Sequence, residues 1–183
     1  MDTTIVILLV VVVVLVAGAL AWMLMQRRRS EELRERFGPE YDRTVSQLGD
    51  QRQAEAELAA RQKRVEGFKL QALAPADRGR FVEEWRATQA RFVDEPADAI
   101  QAADQLVAEA MRARGYPVGD FEQRAADISV DHPNVVENYR AARAIALANE
   151  RGQASTEDLR QAMVYYRALF QDLLETREKE VAR

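Results

Sequence analysis

His132 is the single histidine of this 183-residue chain, and it stands beside Ser129 and Asp131, the residue types of a hydrolytic nucleophile, acid and base. Such a triad works when a serine on a sharp turn meets its base beside an oxyanion hole. No G-x-S-x-G surrounds Ser129, and side chains this close in sequence point apart, so hydrolase chemistry is not expected. The same histidine is a candidate metal ligand. Metal sites in helical bundles combine Glu-x-x-His motifs from several helices, and the sequence holds none. With no cysteine and no second histidine, zinc would need a mostly carboxylate shell. Asp131-His132-Pro133 reads more simply as a helix start, with Asp131 as the cap. The phosphate cradles G-x-x-x-x-G-K-[ST] and G-x-G-x-x-G are absent. Glu31-Glu32 and Glu83-Glu84 read as solvated helix faces. Trp85, Tyr139, Tyr165, Tyr166 and Phe170 could stack a ligand, but their helical spacing makes them core, with one of the adjacent tyrosines exposed. No catalytic residue, cofactor or metal is expected, and the chain does not read as an enzyme.

The elements that would carry these residues are helical. Pro75 and Asp77 open a helix with Phe81, Val82, Trp85 and Phe92 at helical spacing. Asp94-Glu95-Pro96 ends it and starts another, with Ile100, Ala103, Leu106, Val107, Ala110 and Met111 inward and Arg114-Gly115 at its close. Pro133 is expected to open a third long helix, with Val136, Tyr139, Ala142, Ala146 and Leu147 on one face, running to Gly152. Ser155 and Asp158 cap a fourth, in which Leu159, Met163, Tyr166, Phe170 and Leu173 form the clearest apolar seam. No alternating strand pattern appears, so 74–183 is expected to be an antiparallel bundle of about four helices. Between the second and third, residues 115–132 predict a structured loop with one short helix near 120–127. Loops carry function more often than framework does, which makes Tyr116, Asp120, Phe121 and His132 the candidate partner-binding residues. The competing role is a connector covering the end of the core.

Ahead of the bundle lies Ile5–Met25, a run of 21 residues without a charge, 14 of them Val, Ile or Leu. As a helix it reaches roughly 32 Å, enough for a bilayer core of about 30 Å. Branched residues at about −0.3 to −0.6 kcal/mol each favour insertion, and lipid leaves a lone segment no option but a helix. Asp2 precedes the run and Arg27, Arg28 and Arg29 follow it, which by the positive-inside rule sets the orientation with the body in the cytoplasm. A cleavable signal peptide and an exported body form the alternative, because Ala19-Leu20-Ala21 is an A-x-A site. The run is longer than such h-regions, however, and no cation precedes it. Ala17 and Ala21 share one helix face, a spacing compatible with self-association but common by chance.

Residues 30–73 read as a helical connector between the anchor (1–29) and the body (74–183). Ser30–Arg36 continues the first helix, Gly38-Pro39 stops it, and Tyr41, Val45 and Leu48 face one way before Gly49-Asp50 breaks again. Residues 51–66 are helical with a thin stripe of Ala54, Leu58 and Val65. The connector is therefore a hinged stalk or a pair of helices lying against the body. A net charge of −4 gives no footprint for nucleic acid, and 23 arginines, 3 lysines and 30 alanines read as the codon bias of a GC-rich bacterial genome.

RFGPEYDRTV (36–45), RGYPVGDFEQRAADISVDHP (114–133) and STEDLRQAMVYYRALFQDLL (155–174) together resemble a family of small bacterial single-pass membrane proteins, uncharacterised and often described as hypothetical or secreted. The resemblance implies an anchor plus helical domain over nearly the whole chain, and it carries no activity, cofactor or binding residue. The expectation is a single-pass protein of the bacterial inner membrane with a cytoplasmic helical body. Its partners would be the lipid bilayer and another protein, which it engages as an adaptor. The alternatives are a ligand-binding or enzymatic bundle and an exported envelope protein.

Overall fold

The computed structural model describes the backbone of residues 3–175 and the side chains of residues 12–175. Among the described residues the protein is all-α, with eight helices and no strand. They are α1 (Thr3–Phe37), α2 (Pro39–Leu48), α3 (Gln51–Glu66), α4 (Pro75–Arg91), α5 (Pro96–Ala113), α6 (Phe121–Ile128), α7 (Val136–Glu150) and α8 (Thr156–Glu175).

Local chemistry sets most boundaries. Gly38 at φ 48° separates α1 from α2, with Pro39 in the first turn of α2, where a missing N–H costs nothing. Gly49 at φ 67° closes α2, and its N–H bonds the Val45 carbonyl. Asp50 then caps α3 by accepting from the Gln53 N–H at 2.7 Å. Pro75 and Pro96 open α4 and α5 in the same way. At α8 the capping box is reciprocal: Asp158 accepts from the Ser155 N–H at 2.8 Å, and the Asp158 N–H donates to Ser155 Oγ at 3.2 Å.

The third long helix differs from expectation. It begins at Val136, because His132–Val135 form a turn closed by the Val135 N–H on the His132 carbonyl at 3.2 Å. Asp131 does not cap it, since its carboxylate accepts from the Tyr116 hydroxyl at 2.7 Å.

The apolar seams close one continuous core. α8 packs on α5 and α7, and α4 packs on α5. Phe81, Ile100, Val107, Met111, Tyr139, Tyr166, Leu169 and Phe170 are all buried there. The connector is no free stalk: Leu33 and Phe37 of α1, Tyr41 of α2, and Leu58 and Val65 of α3 belong to the same core. Tyr165 is half-buried while Tyr166 is buried, as adjacency on a helix requires.

The described part of the apolar run behaves unlike the rest of the protein. Val12–Val16, Leu20 and Trp22–Met25 are all exposed, Met25 at 71%. Among the described residues no helix is long and apolar enough to cross a membrane. The side chains of residues 5–11, the first third of the predicted span, lie outside the described residues, as do Asp2 and residues 176–183.

Candidate docking surfaces

The loop predicted as a partner site is built from the inside. Gly115 adopts φ +95°, and a Cβ there would lie 2.4 Å from the Lys69 carbonyl oxygen. Only glycine accepts both the conformation and the approach. The Arg114 carbonyl alongside accepts from the Gln71 N–H at 2.9 Å, which ties the α3–α4 segment to the end of α5. The Arg114 guanidinium is buried and donates to the Leu173 carbonyl at 2.9 Å, a cation in the last turn of α8 where the helix dipole favours it.

Tyr116 is buried beneath this corner, its hydroxyl held by Asp131. Asp120 caps α6 by accepting from the Gln123 N–H at 3.0 Å and is itself exposed. Phe121 is half-buried, 4.9 Å from the Tyr139 ring, with the guanidinium groups of Arg143 and Arg124 at 5.8 and 5.9 Å. His132 is buried, its ring edge-on to Tyr116 and its Nδ1 on the Asp172 carboxylate. Ser129 Oγ donates to the Ala126 carbonyl at 2.7 Å. Ser129, Asp131 and His132 thus face three different partners. A macromolecule arriving at this loop would meet Pro117, Gly119, Asp120 and Glu122, which are exposed, before Tyr116 or His132.

A second polar centre escaped the sequence. Glu40, in the first turn of α2, is fully buried. Its carboxylate accepts two bonds from Arg140 of α7, at 2.7 and 2.9 Å, and one from Arg61 of α3 at 2.9 Å. Arg43 stands 3.6 Å away and pairs with Glu137 at 3.2 Å. A carboxylate taken out of water needs such company, because its desolvation is large. A similar link joins α3 to α6: buried Asp127 accepts from Arg64 at 3.0 Å and from Gln123 at 2.8 Å. Burial still pushes the Asp127 carboxyl above the usual range, against the pull of Gln123 and Arg64. Nothing in the sequence distinguishes Glu40 from the neighbouring surface acids except its place immediately before Tyr41. The 100-residue separation from Arg140 is invisible to any local rule.

Among the open concavities of the described surface, three bear on docking. One of about 990 Å3 runs between α1, α3 and residues 130–134 and is lined mainly by charges of both signs, Arg36, Lys63 and Glu66 among them. A second, about 620 Å3, lies where the apolar stretch of α1 ends, between Trp22, Met23 and Arg27 on that helix and Arg52 at the start of α3. Arg27, Arg28 and Arg29 are all exposed on this part of α1. The third is a groove of about 410 Å3 between α4 and α8. Trp85 and Phe170 stack across its floor, ring centroids 4.7 Å apart and 19° from parallel, and Phe81 meets Phe170 edge-on beneath. Arg78 and Arg86 rise on the α4 side and Arg167 on the α8 side. Trp85 Nε1 is buried with no acceptor among the described residues. Set against family models, curated proteins and solved structures, the chain matches none of them.

Proposed function

We propose that the protein is an interaction adaptor held at the bacterial inner membrane by α1, with its helical body on the cytoplasmic face. The observation that carries this reading is the exposure of Val12–Val16, Leu20 and Trp22–Met25 along one helix that runs on into a body with a filled core. An apolar surface of that extent, left open to solvent, needs a lipid or protein environment. The arginines at 27–29 terminate it where a cytoplasmic flank would carry cations, and Trp22 stands at the depth of an interfacial aromatic. Supporting an adaptor over a ligand-binding bundle, Tyr139 and Tyr166 pack on neighbouring rings inside the core instead of lining a cavity.

The test combines extraction and topology. The full chain should stay with the membrane pellet after alkaline carbonate washing and keep its N-terminal segment. A C-terminal fusion active only in the cytoplasm should work, and one active only after export should be silent. Release into the supernatant would end the anchor reading, and an active export reporter would place the body on the other side.

A further inference from the structure

We infer that the groove between α4 and α8 receives an acidic amphipathic helix from a partner protein. The inference rests on the adaptor reading above and names the chemistry of its partner. Two parallel stripes build the site. On α4 they are Arg78, Val82, Trp85 and Gln89, each three or four residues from the last, and on α8 Arg167, Phe170 and Leu174. From Arg78 to Gln89 a helix advances about 16 Å, or three turns, which matches a short helix laid into the furrow between two others.

The lining selects the sign of the occupant. Three guanidinium groups border the groove, and Glu175 is the one acidic side chain among the described residues that line it. Arg78 and Arg167 are exposed and form no ion pair among the described residues, whereas Arg86 already holds Glu83 at 2.6 Å. The floor is apolar, with Val82 half-buried over the Trp85–Phe170 stack. Trp85 is 6% exposed, and its Nε1–H finds no acceptor among the described residues, although Gln89, Gln171 and Glu175 line the same groove. A buried donor of this kind is costly unless an acceptor arrives. A helix with Leu, Phe or Met at i, i+4 and i+7 would cover the stack, and Asp or Glu beside them would meet Arg78 and Arg167. One of those carboxylates could also accept from Trp85. The recessed shape favours such a helix over a flat anionic bilayer, whose headgroups would reach the rim arginines but not the indole.

The experiment uses the full chain in nanodiscs of neutral lipid, carrying Trp22→Phe so that Trp85 is the sole tryptophan. A random 16-residue peptide library is panned against it, and the enriched peptides are synthesised and titrated while Trp85 emission is followed. Enriched peptides should combine large apolar residues at helical spacing with Asp or Glu, shift Trp85 emission, and bind more weakly as salt rises. Arg78→Glu with Arg167→Glu should weaken them roughly tenfold or more, since charge reversal at a rim acts on encounter and register. Trp85→Phe keeps the stack and removes the donor; read by the anisotropy of a dye-labelled peptide, since no tryptophan remains, it should weaken binding by roughly fivefold. The exposed arginine variants should melt like the parent, which separates lost docking from lost folding. No enrichment, enrichment of acid-free peptides, or binding indifferent to the charge reversal would overturn the inference. So would a Trp85 response to anionic vesicles in place of peptides, or one produced by removing residues 176–183. Carbonate extraction on the same protein reports on the anchor separately, so failure of the groove and failure of the adaptor reading are distinguishable.

Discussion

Glu40 shows how much one side chain can decide. Its carboxylate is fully buried and sits where three helices meet, holding Arg61 and Arg140 by direct bonds. Removing it leaves two guanidinium groups in a half-dry site, a loss far larger than that of an exposed pair. Glu40→Ala should cost about 3–5 kcal/mol in urea unfolding, and adding Arg140→Ala should cost much less than the sum of the two single changes. Additive losses would show that the pair is not coupled. Tyr139 and Tyr166 supply a pH-dependent counterpart. Both phenols are fully buried, and desolvation raises each above its ordinary 10.0, with Asp104 adding to the effect. The folded protein therefore keeps protons that the unfolded chain releases near pH 10, so stability is complete below that pH and drains as pH climbs past it. Phenolate absorbance from these two residues should appear together with unfolding, and Tyr139→Phe with Tyr166→Phe should flatten the alkaline decline. Phenolate forming ahead of unfolding at these positions would contradict their burial.

At the scale of an element, the stretch from Arg114 to His132 owes its shape to a few obligatory contacts. The Gly115 conformation presses the end of α5 against the Lys69 backbone, and the Arg114 carbonyl takes the Gln71 N–H immediately beside it. Gly115→Ala would meet both a positive φ and the Lys69 carbonyl, and should destabilise by roughly 2–3 kcal/mol. Gly119→Ala, where an added Cβ has nothing within 4 Å, should change stability little. Comparing the thermal melts of the two variants checks this, and equal effects would show that the corner is not the constraint described. Of the predicted partner residues in this stretch, Tyr116 and His132 are buried, Asp120 is exposed and caps α6, and Phe121 is half-buried against Tyr139. Sequence flagged the segment because it held more Gly, Pro and Asp than a turn needs, and those residues answer to local geometry.

The whole molecule is organised by a core that does not respect the division between connector and body. Phe37, Tyr41 and Leu58 are fully or almost fully buried in the same cluster as Phe81 and Phe170. Each large apolar side chain removed from water contributes about 1.5–3 kcal/mol, and Glu40 and Asp127 add polar ties across the same boundary. A fragment of residues 30–175 should therefore unfold cooperatively, whereas 74–175 should have a lower midpoint and a smaller dependence on denaturant. Equal midpoints would restore the connector to the status of a stalk.

What the sequence determined by itself was local. The helix starts at Pro39, Pro75 and Pro96, the stops at Gly38 and Gly49, and the caps at Asp50 and Ser155 follow from the chemistry of one turn of chain. So do the apolar seams of α5 and α8, whose every predicted residue is buried. Such features depend on backbone geometry and on neighbours three or four residues away, which a sequence displays directly. Tertiary structure decided the rest. It delayed α7 to Val136 by giving Asp131 to Tyr116, folded the connector onto the body, and buried Glu40 against Arg140. It also set Arg78 and Arg167 on facing walls over Trp85. Each of these joins residues far apart in the chain, and their pairing is fixed by which helix faces close the core, a choice that no single segment encodes.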